Sequence, residues 1–421
     1  MKTTLRSLRT SLIPGGCAIL VALGLLAGAP KAAAQDGKAV LDLLVKEGIL
    51  TTDQAAKVGK EASKAPVLIP VTAGGKSTTK LSLGGRLQIQ FDGLSTDIDN
   101  AVDPADTNHF FVRRAYLTLK GTVSANATFD ITYDMATSSF DAAFIKWKQS
   151  DSLAFDIGLR KVNIAYEEST VSSGALKAIE RTGATRYFVE PENTRRLGAG
   201  GYRLGLYVEG KEGPFFWGAA ITNPERVSSA TSIGTAANNG VALWGNVGVK
   251  DKMKGVKDGA YVFGAGLGYM PDQGGKTVGT GNDLLVGNIY ADLNIGKFSL
   301  VTEYLYSRNE NGAGANRDAN SYGFWLQPSY KFDKHWEGVV RYSFLDSDGR
   351  GINLSDAVRS APSGGTMDKI TDYFIGVNYC FLGNDLKIQA GYVYAEAEDT
   401  VTGTPAKATS SGFRSQMQIQ F

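Results

Sequence analysis

The chain has 421 residues, of which 43% are hydrophobic and 20% are charged, and its 44 Lys and Arg nearly balance its 42 Asp and Glu. Downstream of residue 34 no apolar run is long enough for a membrane helix, so the composition excludes a helical membrane protein. It does not exclude a membrane β-barrel, whose alternating strands average to neutral hydropathy. The charge balance indicates no particular cargo, and we expect no nucleic-acid partner.

Residues 1 to 34 are predicted to be a signal peptide. A basic start precedes an apolar stretch at residues 17 to 29, and three alanines at 32 to 34 form a small-residue cleavage site. The basic residues of this segment are Lys2, Arg6, Arg9 and Lys31. Their removal leaves 40 basic and 42 acidic residues, and Cys380 as a lone cysteine that has no disulfide partner within the chain.

Residues 35 to 80 are predicted to be a periplasmic helical segment followed by a linker. Helical spacing of apolar residues appears at 40 to 48 and again at 52 to 58, and a disordered tether is expected from 64 to 80. The two helices are interpreted as a short pair or as an arm that contacts the other subunits of a trimer. A separate binding domain is the alternative.

Residues 81 to 421 repeat segments in which apolar residues alternate with polar or small ones. In the first segment Leu83, Leu87 and Ile89 alternate with Arg86 and Gln88, so one face of a strand is apolar and the other polar. A closed barrel turns the apolar faces to lipid and the polar faces to a lumen. The fold class predicted is therefore an all-β, antiparallel transmembrane β-barrel.

Sixteen strands are predicted, with 18 as the alternative count. They cover residues 81–92, 111–123, 127–136, 140–148, 153–160, 201–210, 214–222, 241–250, 260–269, 284–294, 297–308, 321–332, 335–346, 370–381, 385–396 and 412–421. Gaps after odd strands are mostly long and those after even strands mostly short, as in transmembrane barrels. The short gap at 137 to 139 breaks this rule, so a boundary error is expected there. Aromatic residues near the strand ends fit interfacial girdles.

The longest predicted loop, residues 161 to 200, is expected to fold inward and narrow the channel. An external, solvated loop is the alternative.

Alternation along the strands assigns twelve basic and nine acidic residues to the lumen, a slight anion bias that becomes selective only where cations cluster at a constriction. The residues predicted for that cluster are Arg114, Arg160 and Arg181, with Arg86 and Arg203 leading to it. The alternative for any lumen arginine is a structural pair with an acid. Arg113 falls on the outward parity and is assigned to the rim or a subunit contact.

Several blocks resemble the phosphate-selective porin O and P family. They are 83 to 88 (LGGRLQ), 111 to 117 (FVRRAYL), 140 to 143 (FDAA), 158 to 160 (GLR), the pair at 180 and 181 (ER) and the terminal Phe421. The resemblance implies a trimeric sixteen-stranded channel in the Gram-negative outer membrane. It also implies that Arg113 and Arg114 form an entrance pair, with Asp141 and Arg181 at the constriction. The family's constriction lysines are missing here, and Lys177 is the nearest candidate.

The predicted function is a water-filled channel for passive diffusion of small hydrophilic solutes, with a modest anion preference that extends to phosphate. Its expected partners are solutes or anions, outer-membrane lipid and two further copies of the chain. A sugar-type or nonspecific porin is one alternative, supported by Tyr116, Trp244, Tyr290 and Trp325 on the lumen parity; a structural or surface-binding barrel is another. No enzyme activity, metal or other cofactor is expected, because the two histidines, His109 and His335, are predicted at opposite ends of the barrel.

Overall fold

The computed structural model describes residues 52–53, 67–72, 78–191, 193, 195–224, 240–271, 282–314, 316–400 and 407–421. Contacts divide the chain into two units, residues 1–66 and 67–421. In the first unit Thr52 and Asp53 are described, and both are helical. The predicted signal peptide and the rest of the predicted helical pair lie outside the described residues. Within those residues, none of the helices has the length and apolar character needed to cross a membrane.

The second unit is built mainly of strands. The strands are β1 (Val67–Thr72), β2 (Thr78–Ile98), β3 (Thr107–Thr122), β4 (Ala127–Asp134), β5 (Ser139–Lys148), β6 (Leu153–Lys161), β7 (Tyr202–Glu212), β8 (Phe215–Thr222), β9 (Ala242–Lys252), β10 (Ala260–Met270), β11 (Leu284–Ile295), β12 (Phe298–Asn309), β13 (Tyr322–Lys331), β14 (Trp336–Asp346), β15 (Ile352–Asn353), β16 (Thr366–Met367), β17 (Lys369–Cys380), β18 (Leu386–Glu398) and β19 (Lys407–Gln420). The helices are α1 (Tyr166–Ser169), α2 (Gly183–Val189) and α3 (Leu354–Ala357).

Sixteen of these strands form a closed antiparallel barrel. Strands β2 to β14 and β17 to β19 pair in sequence order, and β19 pairs with β2 to complete the circle. At this seam Arg414 lies opposite Asp92 in the register. All sixteen predicted strands are confirmed, and the alternative count of 18 is wrong. Closure leaves each barrel strand paired on both sides, which removes the free edges that an open sheet would present.

The connections at the two ends of the barrel differ in length. Long connections follow β2, β6, β8, β10, β12, β14 and β18 at one end, here called the loop end, and short turns lie at the other, the turn end. The predicted asymmetry is confirmed. The exception is real, because residues 135–138 join β4 to β5 at the loop end with only a short turn. The predicted strand boundary there was too late, since β4 ends at Asp134 and not at residue 136.

The predicted linker needs correction. Residues 64 to 80 were expected to be disordered, but they include β1 and the first residues of β2. β1 pairs with Thr78 to Leu83 of β2, whereas β19 pairs with β2 from Arg86 onward. At the turn end, β1 therefore pairs with the part of β2 that lies past the end of β19. It extends the sheet on that side of β2.

Outward and inward faces alternate as predicted. On β12 the side chains of Phe298, Tyr304 and Tyr306 are exposed, whereas those of Glu303 and Leu305 are buried. Exposed large apolar side chains occur around the barrel, which matches a surface that faces lipid.

The connection from β6 to β7, residues 162 to 201, folds into the barrel. Its Ile164, Tyr187 and Phe188 are completely buried and join a core with inward-facing Leu305 and Leu345 of the strands. The loop therefore packs inside the barrel and is not a solvated external loop. We call β11 to β14 and β17 to β19, against which the loop packs, the covered wall, and β3 to β6 the open wall. On the covered wall the inward faces are partly apolar, because the loop's own apolar side chains cover them.

Candidate functional site

Polar side chains of the covered wall bind the backbone of the loop. Lys387 Nζ donates to Leu176 O at 2.9 Å, Arg341 Nη1 donates to Glu180 O at 2.5 Å, and Asp372 Oδ2 accepts from Gly183 N at 3.2 Å. A loop inside a barrel needs such partners, because buried amides and carbonyls left unpaired are costly. Lys387 and Arg341 are among the bases predicted for the lumen, but both are buried in these contacts.

The start of the loop separates two cavities. The loop-end cavity, of about 630 Å³, has Lys161 and Glu168 in its lining. The turn-end cavity, of about 770 Å³, has Arg160 and Ser169 in its lining. Because neighbouring residues of the loop face opposite cavities, the segment from 161 to 169 lies between them. Among the described residues, cations outnumber acids seven to four in the lining of the loop-end cavity: Arg113, Arg114, Lys161, Arg181, Arg196, Arg203 and Arg359 against Asp134, Asp141, Glu168 and Glu190.

A β-bulge turns two successive arginines into the loop-end cavity. The register of β2 with β3 passes from Gln88↔Arg114 to Ile89↔Val112, so Arg113 is the extra residue of the bulge. Both Arg113 and Arg114 line the cavity. The outward assignment of Arg113 is therefore wrong, because strict alternation fails where one residue is inserted into the ladder. Arg114 Nη1 donates to Gln88 Oε1 at 2.7 Å, and no described carboxylate lies within 4.0 Å of the Arg114 guanidinium.

A second register shift lies beside Asp141. β4 and β5 pair as Thr132↔Ala142 and then Tyr133↔Phe140, which leaves Asp141 without an opposite residue. Asp141 lines the loop-end cavity and accepts a hydrogen bond from the Tyr202 hydroxyl at 3.1 Å. The structure thus brings Asp141 to the same cavity as Arg114, as the resemblance implied.

The side of the cavity nearest α2 holds a chain of ion pairs. Glu180 is paired with Arg113 and with Arg359, whose Nε lies 3.2 Å from Glu180 Oε1. Glu190 is paired with Arg359, with Arg186 and with Arg196, whose Nη1 is 2.9 Å from Glu190 Oε2. Sequence reasoning missed Arg196 and Arg359 as cavity residues. Arg359 comes from the connection between β14 and β17, and nothing in its local sequence indicates that this connection reaches the loop between β6 and β7.

The ion pairs determine the protonation of these acids. Burial alone would raise the pKa of Glu180, but Arg113 and Arg359 outweigh it and hold that pKa well below the ordinary value. Burial opposes ionisation of Glu190 as well, and Arg186 and Arg359 lower its pKa. Burial lowers the pKa of Arg359 to about 10, although Glu180 and Glu190 act against this change. All of these groups are therefore charged at neutral pH.

Arg181 lies at the boundary between the loop and the cavity. Its Nε is 2.6 Å from Glu168 Oε2 and donates to Glu167 O at 3.2 Å. Lys161 Nζ is 2.9 Å from Glu168 Oε1, so two cations share one carboxylate at this point. Arg181 therefore lines the same cavity as Arg114, and its charge is balanced in part by Glu168.

Arg86 and Arg203 hold the loop in place. Arg86 Nη1 donates to Ser173 Oγ at 2.5 Å, and Arg86 Nη2 donates to Ser172 Oγ at 3.0 Å. Arg203 is 1% exposed and donates to Gly198 O and Gly200 O, each at 2.6 Å, while its guanidinium lies 4.7 Å from the Trp244 ring centroid. Arg203 borders the loop-end cavity, but its hydrogen bonds are structural.

Arg160 and Lys177 lie apart from the loop-end cavity. Arg160 lines the turn-end cavity, where it is paired with Asp156 and with Glu209, the latter at 2.5 Å. Lys177 Nζ lies 3.2 Å from Glu337 Oε1 and donates to Ser329 Oγ at 2.7 Å on the covered wall. The predicted cluster of Arg114, Arg160 and Arg181 is therefore divided between two cavities, and Lys177 lines neither of them.

The aromatic residues considered for a sugar path are mostly covered. Trp244 is 4% exposed and Trp325 is 1% exposed, and Trp325 Nε1 donates to Glu303 Oε2 at 3.2 Å. Tyr116 lines the loop-end cavity and Tyr290 the turn-end cavity. The four rings do not form a continuous aromatic surface along the lumen.

Solved structures with the same fold have low sequence identity to the chain. An anion-selective porin from Comamonas acidovorans matches with a TM-score of 0.57 at 13% identity, covering 81% of this chain and 100% of that chain. The outer-membrane channel DcaP of Acinetobacter baumannii matches with a TM-score of 0.53 at 12% identity over 83% of this chain and 99% of its own. The trimer form of OmpT, an outer-membrane protein of Vibrio cholerae, has a TM-score of 0.50 at 14% identity over 82% of this chain and 99% of its own.

The family comparison is more specific than the fold. A comparison with curated proteins gave no match. The model of the family described as "Phosphate-selective porin O and P" matches residues 81–421, which is the whole predicted barrel. The chain belongs to the phosphate-selective porin O and P family and is an outer-membrane channel.

Proposed function

We propose that small hydrophilic anions cross this channel through the loop-end cavity, past the loop segment 161–169, and into the turn-end cavity. The observation that carries the proposal is the position of Arg114. Its guanidinium lines the loop-end cavity and has no carboxylate within 4.0 Å in the described part of the chain. A buried cation without a neutralising partner attracts anions more strongly than one in an ion pair, because the surrounding low dielectric screens its charge weakly.

Neighbouring cations support the same path. Arg113 and Arg359 share Glu180, and Lys161 and Arg181 share Glu168, so each of these two acids is paired with two cations. The excess positive charge lies on the side of the loop where a solute from outside would arrive. Rings of basic side chains at a narrow section favour anions in other channels.

A high-affinity phosphate site is not part of the proposal. Among the described residues that line the loop-end cavity, the single lysine is Lys161, and it is paired with Glu168. Arg114 and its arginine neighbours bind phosphate and carboxylate oxygens by the same forked geometry, so we propose a general anion preference in which phosphate is one of several permeating ions. We further propose that the channel is a homotrimer, since OmpT of Vibrio cholerae, which shares the fold, has been solved in a trimer form.

Planar-bilayer recordings test the path. In a KCl gradient the native channel is expected to give an anion-selective reversal potential, and Arg114→Gln is expected to reduce the anion-to-cation permeability ratio by about twofold or more. Arg308→Gln is the matched control, because Arg308 is an exposed arginine on β12 that pairs with Asp318 outside the lumen. A cation-selective native channel would refute the anion path. Equal effects of Arg114→Gln and Arg308→Gln on the permeability ratio would show that Arg114 has no special role in the anion path.

Adding phosphate separates a general anion preference from a specific one. We expect phosphate at concentrations comparable to chloride to carry current and to reduce chloride current only weakly. Block of the chloride current by micromolar phosphate would instead indicate a specific phosphate site and contradict the proposal.

A further inference from the structure

The first residues of the inward loop run along the inner face of the barrel wall, over a row of five inward-facing residues. We call this row the docking row: Gly218, Asn246, Gly266, Asn288 and Glu303. The first four are direct cross-strand neighbours on β8, β9, β10 and β11. The last is linked by a hydrogen bond, since Asn288 Nδ2 donates to Glu303 Oε1 at 2.7 Å. Small residues therefore alternate with amides until the row ends in a carboxylate.

The two glycines of the docking row allow the loop to approach the wall. A Cβ on Gly266 would lie 2.5 Å from Asn288 Oδ1 and 2.8 Å from the backbone oxygen of Asn163, and one on Gly218 would lie 2.5 Å from Asn246 Oδ1 and 2.9 Å from Asn163 Nδ2. Such distances are too short for real contacts, so a side chain at either position would displace the amide side chains of the row, and one at Gly266 would also push against the backbone of the loop. Asn163 Nδ2 also donates to Asn246 Oδ1 at 2.8 Å, which fixes the loop between the glycines.

Glycines on the opposite face of the same strands lack this constraint. A Cβ on Gly245 of β9 would have no neighbour nearer than 3.8 Å, and one on Gly287 of β11 none nearer than 3.4 Å. Cross-strand pairing and alternation place both on the outward face of the barrel. The need for glycine is therefore specific to the face that the loop contacts.

Glu303 receives the loop at the end of the row. Its Oε1 accepts from Tyr166 N at 2.6 Å and from Asn288 Nδ2, and its Oε2 accepts from Trp325 Nε1 at 3.2 Å and Glu167 N at 3.4 Å. The side chain is 2% exposed, and no described Lys, Arg or His lies within 4.0 Å of it. Four donors converge on two oxygens, which suits a carboxylate, because a carboxylate only accepts.

The backbone confirms that the loop is held tightly at this point. Ala165, immediately before Tyr166, is completely buried and has a φ of 58°, a value that favours glycine. A strained residue persists only where its surroundings determine its conformation. Here the surroundings are the docking row on one side and the amide contacts with Glu303 on the other.

We propose that the docking row sets the width of the channel, and that Glu303 is a positioning residue that holds the loop against the wall without touching the solute. The row acts on pore width rather than on charge at the cavity, so it is independent of the arginines of the proposed anion path. Loss of these contacts releases the segment between the two cavities.

Single-channel conductance in concentrated KCl tests the proposal on the full chain. Gly266→Ala and Glu303→Gln are each expected to change the unitary conductance by about twofold or to replace it with a noisy set of levels, because the narrowing segment is no longer fixed. Glu303→Asp keeps the acceptor charge and is expected to lie closer to the native value than Glu303→Gln. Gly287→Ala, on the outward face of the next strand, is expected to match the native channel.

Folding is checked by the shift in gel mobility between unheated and heated samples. If Glu303→Gln does not fold, the comparison of Gly266→Ala with Gly287→Ala decides alone. Native conductance in Gly266→Ala would overturn the proposal, and so would equal changes in the two glycine variants. Because the readout is conductance and not reversal potential, failure of the anion path would leave this test unaffected.

Discussion

The covered wall and the open wall use the same alternation of residues for different purposes. On the covered wall inward polar groups such as Lys387 and Glu303 bind the loop backbone, and inward Leu305 and Leu345 pack against its apolar residues. On the open wall inward charges pair across strands, as Lys120 does with Asp130 at 3.0 Å. The difference teaches that an inward-facing charge in this barrel does not by itself indicate a charge in the water-filled path.

Cations in excess of acids lie where the two walls and the loop meet. Arg113 and Arg114 leave the open wall at a bulge, Arg181 comes from the loop, and Arg359 comes from the connection that follows β14. The anion preference is therefore a property of this junction and not of the net charge of either wall. Substitutions confined to one wall, or to the junction, therefore separate the contribution of each wall from that of the junction.

The largest expected effect comes from weakening the packing on the covered wall. Phe188 of α2 is completely buried, whereas Phe155 of β6 is 37% exposed on the outer surface of the open wall. Phe188→Ala is expected to destabilise the docked loop by about 3–5 kcal/mol. Tryptic cleavage within residues 162–201 of the folded protein is expected to accelerate by about a hundredfold or more, because proteolysis follows the population of the open form.

Phe155→Ala provides the control for this experiment. It also removes a phenylalanine ring, but from the outer surface of a barrel strand that does not contact the loop there. The rate of tryptic cleavage within the loop is therefore expected to equal that of the native protein. Similar acceleration in both variants would mean that the loop is not held by its packing against the covered wall.

Much of the fold was predictable from the sequence, because a barrel wall depends on a local pattern. Alternation fixes which residues face lipid, and the sixteen strands follow from it. Contacts between distant segments are not encoded locally. The burial of Trp325 beneath the loop, the reach of Arg359 to Glu180 and the position of Arg113 at a bulge each depend on such contacts. The candidate site was therefore predicted in part: Arg114, Arg181 and Asp141 meet at one cavity, while Arg160 and Lys177 lie elsewhere.

An intermediate effect is expected from comparing an arginine at the junction with one at the seam. Arg181 lines the loop-end cavity beside Glu168, whereas Arg414 lines neither cavity: it is buried, pairs with Asp92 at 2.7 Å and donates to the backbone oxygen of Arg359. Arg181→Ala is expected to lower the anion-to-cation permeability ratio, because two cations share Glu168 in the native channel. In the variant only Lys161 remains, and its charge is balanced by Glu168. Arg414→Ala is expected to reduce stability instead, since it leaves Asp92 buried beside no arginine.

Reversal potentials in a KCl gradient, with denaturation midpoints measured on the same preparations, check this comparison. A change in selectivity of equal size in Arg181→Ala and Arg414→Ala would show that charge anywhere in the barrel contributes, and the junction would lose its special status.

The smallest expected effect is that of pH. Because the pKa values of Glu180 and Glu190 are lowered in the folded protein, their ion pairs stabilise the loop fully above the ordinary glutamate pKa of about 4.3, and that contribution is lost only as the pH falls through the lower folded values. Arg359, with a pKa of about 10, stays protonated up to weakly alkaline conditions. The contribution of this network to the reversal potential is therefore expected to remain constant between about pH 5 and 8. His109→Asn, which replaces an exposed imidazole of β3 with an uncharged amide, is the control variant. If the reversal potential of His109→Asn still changes between pH 5 and 8, a group other than His109 changes charge in the ion path. That result would contradict the constant protonation expected of Glu180, Glu190 and Arg359.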